Sequence, residues 1–318
     1  MVFKLSVIIC THNPVKEFLS KTLEGLKQQD LPVKEWELVV VDNASDEAVS
    51  KRWNLDWHPN GRIITEPELG LTPARVRGIR ETSADLLIYV DDDMILDPDY
   101  LSVALSISDE YPFLGIWGGN LKGGFEVEPP QTIMRYVERL AVREVKRERW
   151  SNIRLWETTP SGAGMVLRRV IAEEYANEAL NHPLKKFLSR KGDSLSSGGE
   201  VDIAFKATGM GFGSGLFPQL SATHLLPAHR LTESYMLRLQ EANAFSGMVI
   251  SSIYGEGIPV AEKPSLIPLR KLIHIFTGKS FRLKMTLAAL RGQERAMALL
   301  KEIEENEEAL WKLHSLRL

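Results

Sequence analysis

The chain is nearly without cysteine: Cys10 is the one thiol in 318 residues. An internal disulfide is therefore excluded, and a reducing compartment such as the cytoplasm is expected. Charge of neither sign dominates, since 39 Lys and Arg face 42 Asp and Glu for a formal net charge of -3. No basic footprint marks a nucleic-acid binder, so nucleic acid is not an expected partner. No apolar run is long enough to span a bilayer, and the run over residues 5–10 is too short for a signal-peptide core. Repeats and low-complexity tracts are missing as well. What remains is an ordinary globular composition, 44% apolar and 25% charged, at a length that allows one large domain with an appendage.

The first 120 residues alternate strand and helix. Apolar runs over 5–10, 37–41 and 86–90 read as buried inner strands, and 61–65 as a weaker one. Asn13-Pro14 marks a helix start, and Thr72 before Pro73 caps a helix over 72–82. Such alternation predicts an α/β fold, a mostly parallel sheet with helices on both faces. Further along, the sequence predicts strands over 113–117, 164–167 and 216–222, a charged helix over 131–150, an exposed mobile loop over 185–199 and a helix over 201–210. From about residue 231 the pattern is helical to the end.

Three predicted strand ends carry polar groups: Thr11-His12-Asn13, Asp42-Asn43-Ala44-Ser45-Asp46 and Asp91-Asp92-Asp93. Parallel strands would bring them to one sheet edge, where open α/β sheets bind ligands. Two acids one residue apart can hold a hard divalent cation that bridges to substrate phosphates. Asp42 suits a base N–H, and Arg75 at a helix start suits phosphate. Together these groups describe a site for a nucleotide diphosphate with a metal ion.

The segments SVIICTHN, VVVDNASDE, GLTPARVRGI, YVDDDMILDPDYL, SGAGMVLRR and GGEVDIAFKATGMGF, in that order over roughly residues 5–230, resemble family 2 glycosyltransferases. The resemblance implies a Rossmann-like glycosyltransferase A fold over residues 1–230, with a nucleotide-binding half over 1–120 and an acceptor-binding half over 121–230. Residues 231–318 would be a helical C-terminal extension. It further implies that Thr11, Asn13, Asp42, Arg75, Asp91, Asp92, Gly162 and Arg230 bind the nucleotide sugar. Asp91 would approach ribose and Asp93 the metal, with Asp92 between them pointing away by strand alternation. Several related enzymes place a histidine where His224 stands, so Asp93 and His224 become metal ligands, for Mn2+ or Mg2+, the imidazole favouring manganese.

An inverting transfer needs a carboxylate to take the acceptor's proton. The family's acidic pair is altered here to Gly199-Glu200, which puts Glu200 on the base position and makes Asp202 the fallback. Val76 replaces the usual asparagine after Arg75. The expected activity is metal-dependent transfer from a nucleotide-diphospho sugar, UDP favoured, to a glycan or lipid-linked acceptor. The alternatives are a non-catalytic nucleotide-sugar binder or scaffold of the same fold, and a nucleotidyltransferase. The latter is disfavoured because Thr11-His12-Asn13-Pro14 stands where a Gly-rich basic loop would be. Between residues 263 and 292 seven Lys and Arg interleave with apolar residues and no acid. That segment could lie on an anionic membrane surface, at the inner face of the cytoplasmic membrane, or pack on the catalytic domain with a solvated basic face. An acidic helix over 294–313 could pack back or mediate self-association.

Overall fold

The computed structural model describes residues 3–192, 194–255 and 280–315, with side chains to 305. Strands β1 (Leu5–Thr11), β2 (Trp36–Asn43), β3 (Gly61–Glu66) and β4 (Leu86–Asp91) run parallel in the order β3-β2-β1-β4. Helices α1 (Lys16–Lys27) and α2 (Leu71–Arg80) connect them. The central strands are apolar on both faces because both faces are covered. Val7, Ile9, Leu38, Val40, Ile88 and Val90 enter one core cluster, while the intervening Ile8, Val39, Val41, Leu87 and Tyr89 enter another. This is the two-residue period of a strand, with a helical layer on either side.

The second half of the sheet is mixed. After β5 (Met94–Leu96) and α3 (Tyr100–Glu110) comes the long β6 (Leu114–Phe125), then the single turn α4 (Gln131–Met134) and β7 (Arg149–Ser151). Next are β8 (Met165–Arg168), α5 (Arg169–Ala179), α6 (Gly199–Gly209) and β9 (Gly213–Leu226). β6 and β9 are parallel, but β8 opposes both β4 and β6, and β5 and β7 oppose β9. The parallel expectation therefore holds for the first four strands and for the β6–β9 ladder only.

Local expectations are corrected at four places. Asn13 does not cap α1: its backbone is left-handed, φ 50°, and its amide pairs with Asp46, so the helix begins at Lys16. Thr72 does not cap α2, whose N-cap is Gly70. The charged helix over 131–150 is replaced by one helical turn, Gln131–Met134, and a 3-10 turn, Val137–Leu140, which ends where Ala141 is left-handed at φ 55°, while Arg149–Ser151 pairs with β9. In the 185–199 loop, Lys185 and Leu188 are buried, and Leu71 and Thr72 donate backbone N–H groups to Arg190 O at 3.0 Å and Ser189 Oγ at 2.9 Å.

Helices α7 (Glu233–Tyr254) and α8 (Ser280–Ser315) run side by side in the same direction, with Glu241 paired to Arg291 at 3.1 Å and Arg295 at 2.9 Å. Phe245, Met248, Val249 and Ile250 of α7 and Ala296 of α8 enter the same core cluster as Ile8 and Val39. Of the basic stretch, residues 263–279 lie outside the described residues. Within α8, Phe281 is buried and Lys284 pairs with Glu233 at 3.2 Å. Among the described residues no helix is long and apolar enough to cross a membrane.

One buried histidine makes stability depend on pH. His58 packs edge-on to Trp36 with ring centroids 4.2 Å apart. Its Nδ1 accepts the Asn60 N–H at 3.2 Å, and its Nε2 is buried without a partner among the described residues. Burial pushes this imidazole down from 6.5 to about 4. The unfolded chain takes up a proton that the folded chain refuses until about pH 4, so stability is complete above pH 6.5 and declines below it. Discounted for solvent screening, the expected loss is on the order of 1–2 kcal/mol. Urea titrations at about pH 7 and about pH 4.5 should show it, with His58→Phe losing less than the parent chain.

Candidate active site

Register fixes where the polar strand ends meet. Thr11 lies opposite Asp42 and Cys10 opposite Asp91, so the ends of β1, β2 and β4 share one edge. A cavity of about 520 Å³ opens there, lined by Thr11, Arg75, Asp91, Asp92, Asp93, Gly162, Glu200, His224 and Arg230 among others. The structure thus gathers nine of the twelve expected site residues around one space.

The acidic turn is built by the end of a strand. β4 stops at Asp91 and β5 begins at Met94, leaving Asp92 and Asp93 in the turn. Alternation does not extend past the strand, so Asp92 is not turned away: it lines the cavity and accepts the Thr11 hydroxyl. Asp93 Oδ2 receives Arg230 Nη1 at 2.9 Å and faces His224 Nε2 at 3.4 Å. Burial works against the Asp93 charge, but His224 and Arg230 outweigh it and hold the carboxyl at about 2. Burial and the charge on Asp93 push Asp91 up, and push Asp92 up to about 7 against the Thr11 hydrogen bond. Cys10, beside them, is half-buried, and desolvation pushes its thiol up to about 12, which leaves it protonated and inert.

The Asp93–His224 pair fits a divalent cation. His224 Nδ1 lies 2.9 Å from the Leu140 carbonyl, which only accepts, so Nδ1 carries the proton. In the neutral ring Nε2 then turns a lone pair toward a carboxylate oxygen, an arrangement that calls for a cation or proton between them. Asp93 Oδ1 is buried without a hydrogen-bond partner among the described residues. Among the described residues no three His, Cys, Asp or Glu side chains form a cage, so these two would be the protein's share of the ligands.

Across the cavity, Arg75 is 4% exposed, and no hydrogen bond or ion pair of its guanidinium is found among the described residues. It lies over the Tyr89 ring at 5.2 Å. Burial opposes its charge, yet the surrounding Tyr175, Glu200 and Asp91 raise its pKa. Two glycines make room for it. A Cβ at Gly162 would lie 2.7 Å from Arg75 Nη2 and 3.7 Å from Glu200 Oε2; one at Gly199 would lie 3.1 Å from Arg75 Nη1. The carboxylate of Glu200 and the guanidinium of Arg75 therefore both flank Gly162, without an ion pair between them.

Three expected residues stand off the cavity. Asp42 is buried, and its two oxygens accept the N–H groups of Ser45 at 3.2 Å and Val49 at 2.8 Å. Asn13 is exposed and paired with Asp46. Asp202 is buried against Lys185 Nζ at 3.0 Å and Tyr254 OH at 2.6 Å. Other residues were not anticipated. Asn43 lines the cavity and accepts the Gly70 N–H at 2.7 Å, holding the loop before α2. Arg190 lines it too, and its charge acts on Asp91 and Asp93. One face of α7, Tyr235, Leu239, Asn243, Gly247 and Ile250, forms a wall. A cation in a Ser- and Gly-rich loop was a legible sign for Arg190; the mixed face of α7 offered none.

A sequence model of the family described as Glycosyl transferase family 2 matches residues 6–176, just over half of the chain. The chain belongs to glycosyltransferase family 2. It is 29% identical over 98 residues to "Uncharacterized glycosyltransferase YwdF" of Bacillus subtilis (strain 168), a match that covers 31% of this chain and 35% of that protein. The fold is similar to that of S. aureus TarS, with a TM-score of 0.52 and 15% identity over 83% of this chain and 45% of that one. A structure of residues 1–349 of TarS, in complex with UDP, is matched at a TM-score of 0.50, covering 75% of it. The mannosyltransferase PcManGT of Pyrobaculum calidifontis, in complex with GDP-Man and Mn2+, is matched at a TM-score of 0.56 and 16% identity over 93% of this chain and 88% of that one. This family 2 chain thus spans about a third of the curated relative and under half of the longer TarS structure.

Proposed function

We propose that this family 2 chain transfers a sugar from a nucleotide-diphospho sugar to a hydroxyl of a glycan or lipid-linked acceptor, with inversion at the sugar. The observation that carries the reading is that Glu200 and Arg75 flank Gly162 in the cavity that also holds the Asp91–Asp93 turn. Arg75 would bind the departing diphosphate, whose charge grows in the transition state, with Arg190 and Arg230 at the acidic turn. Glu200 would accept the proton of the attacking hydroxyl. Asp91 and Asp92 would meet the ribose and Thr11 the base. Asp93 and His224 would hold a divalent ion, manganese suiting this carboxylate–imidazole pair best, which when bound neutralises diphosphate charge. The complexes of TarS with UDP and of PcManGT with GDP-Man and Mn2+ support the donor class, with UDP favoured here.

Thermal unfolding with UDP, GDP and dTDP, each with and without manganese, tests the site. A ligand that binds only the folded state adds about 2.7 kcal/mol at a hundredfold excess over its Kd. One nucleotide should raise the melting temperature in a metal-dependent way, and Asp93→Ala should abolish the metal-dependent part. No rise with any nucleotide from folded protein would rule out the donor site.

A further inference from the structure

The start of α6, which carries Glu200, is stitched to α7. Ser197 donates its N–H to Ser246 Oγ at 3.2 Å and its hydroxyl to Asn243 Oδ1 at 3.0 Å. Gly198 adopts φ 149°, a conformation that favours glycine, and a Cβ there would lie 2.8 Å from Ile250 Cδ1. Two residues past Glu200, Asp202 accepts the Tyr254 hydroxyl at 2.6 Å and Lys185 Nζ at 3.0 Å. Lys185 reaches on to Glu178 Oε2 at 3.0 Å, and the Arg154 guanidinium lies 4.8 Å over the Tyr254 ring. With Asp202 1% exposed and off the cavity, its carboxylate faces protein partners and no space that an acceptor could enter. A carboxylate so buried is stable only while those partners remain. Both α6 and α7 lie beyond residue 176, where the family match ends.

We infer that α7, through Tyr254, Ser246 and Asn243, positions Glu200 for proton abstraction, and that Asp202 is a positioning residue rather than the base. This deepens the transfer mechanism proposed above and rests on Glu200 being the proton acceptor. The physical argument is geometric. Glu200 sits in the first turn of its helix, so its carboxylate moves with that turn. The turn is held on one side by Ser197 and Gly198 and on the other by Asp202. A displacement of about 1 Å at the reacting groups can cost about a hundredfold in rate.

The test is Tyr254→Phe in the full chain, which removes one hydroxyl and leaves the ring. UDP-glucose, UDP-N-acetylglucosamine and GDP-mannose are supplied with manganese, water stands in for the acceptor, and release of UDP or GDP is followed. The kcat of release should fall about tenfold to a hundredfold while the donor KM stays in place. The acid limb of the kcat–pH profile should also stay in place, because the base is intact and only misplaced. Lys185→Arg, which keeps a cation beside Asp202, should retain more of kcat than Lys185→Met. If Tyr254→Phe fails to fold, Ser246→Ala reads the same displacement from the other side of the turn. Unchanged kcat in the folded variants overturns the inference. A moved acid limb in Tyr254→Phe also overturns it, since the proton would then be taken by Asp202, which bonds that hydroxyl directly. Undiminished release by Glu200→Gln would instead remove the base assignment itself, whatever Tyr254→Phe does.

Discussion

Glu200→Gln should lower sugar transfer by about 10²- to 10⁴-fold while leaving nucleotide binding intact. The amide has nearly the shape of the carboxylate and can still hydrogen-bond an acceptor hydroxyl, but it cannot take its proton. Asp202→Asn should behave differently. It leaves Lys185 with Glu178 as its remaining carboxylate, and breaking a buried pair costs up to about 3–5 kcal/mol. The two carboxylates, separated by one residue in the sequence, should therefore separate cleanly: one variant loses turnover and keeps its melting temperature, and the other loses melting temperature first. Steady-state transfer rates measured alongside thermal unfolding decide it. Full activity in Glu200→Gln would exclude this residue as the base.

The second large effect is expected at Arg75, on binding far more than on stability. A guanidinium that is 4% exposed and lacks a hydrogen bond or ion pair among the described residues keeps its donors free for a ligand, while Tyr175, Glu200 and Asp91 favour its charge against the cost of burial. Its charge finds its strongest partner in a phosphate, because charge-assisted bonds contribute about 1.5–3 kcal/mol each. Arg75→Met should thus weaken the nucleotide by roughly tenfold to a hundredfold and leave the melting temperature of the free chain little changed. Calorimetric titration with UDP and manganese, beside unfolding of the free protein, checks both. A falling melting temperature with unchanged affinity would make Arg75 a structural residue. The substitution of the family's first acid by Gly199 belongs to the same account. A side chain at 199 would lie against Arg75 Nη1, and an acidic one would neutralise it before any ligand arrived.

The first half of the fold was legible because its signals are local. Residues 5–11, 36–43 and 86–91 are apolar at most buried positions, apart from Ser6, Glu37 and the polar strand ends, and the helix behind the first strand repeats its leucines at helical spacing. What failed depended on partners distant in sequence. The three-residue strands β5 and β7 are too short to show a period, and they exist because β9 offers them an edge. The helix expected over 131–150 has the right composition, but Arg143 bridges to Leu121 and Trp150 pairs with Gly215. Asn13 has the chemistry of a cap and is used by Asp46. Asp92 faces the cavity because its strand had already ended. The site divides in the same way. The acidic turn, Arg75, Gly162 and Glu200 are read from short motifs, whereas Lys185 looked like an exposed loop residue and is buried because Glu178 and Asp202 both reach it.

The wall that α7 contributes also bears on how relatives diverge. The residues assigned here to the donor lie before residue 176, except for Arg190, His224 and Arg230, whereas the helix facing them comes from the last third of the chain. Selection can therefore act on the two parts separately. A duplicated gene could keep its donor machinery unaltered and acquire a new acceptor by exchanging side chains along a single helical stripe, at Tyr235, Leu239 or Gly247. Gly247 leaves the most latitude, since nothing lies within 4 Å of the Cβ it lacks. Likeness over the first 176 residues would then record common descent in what such proteins receive and say little about what they modify.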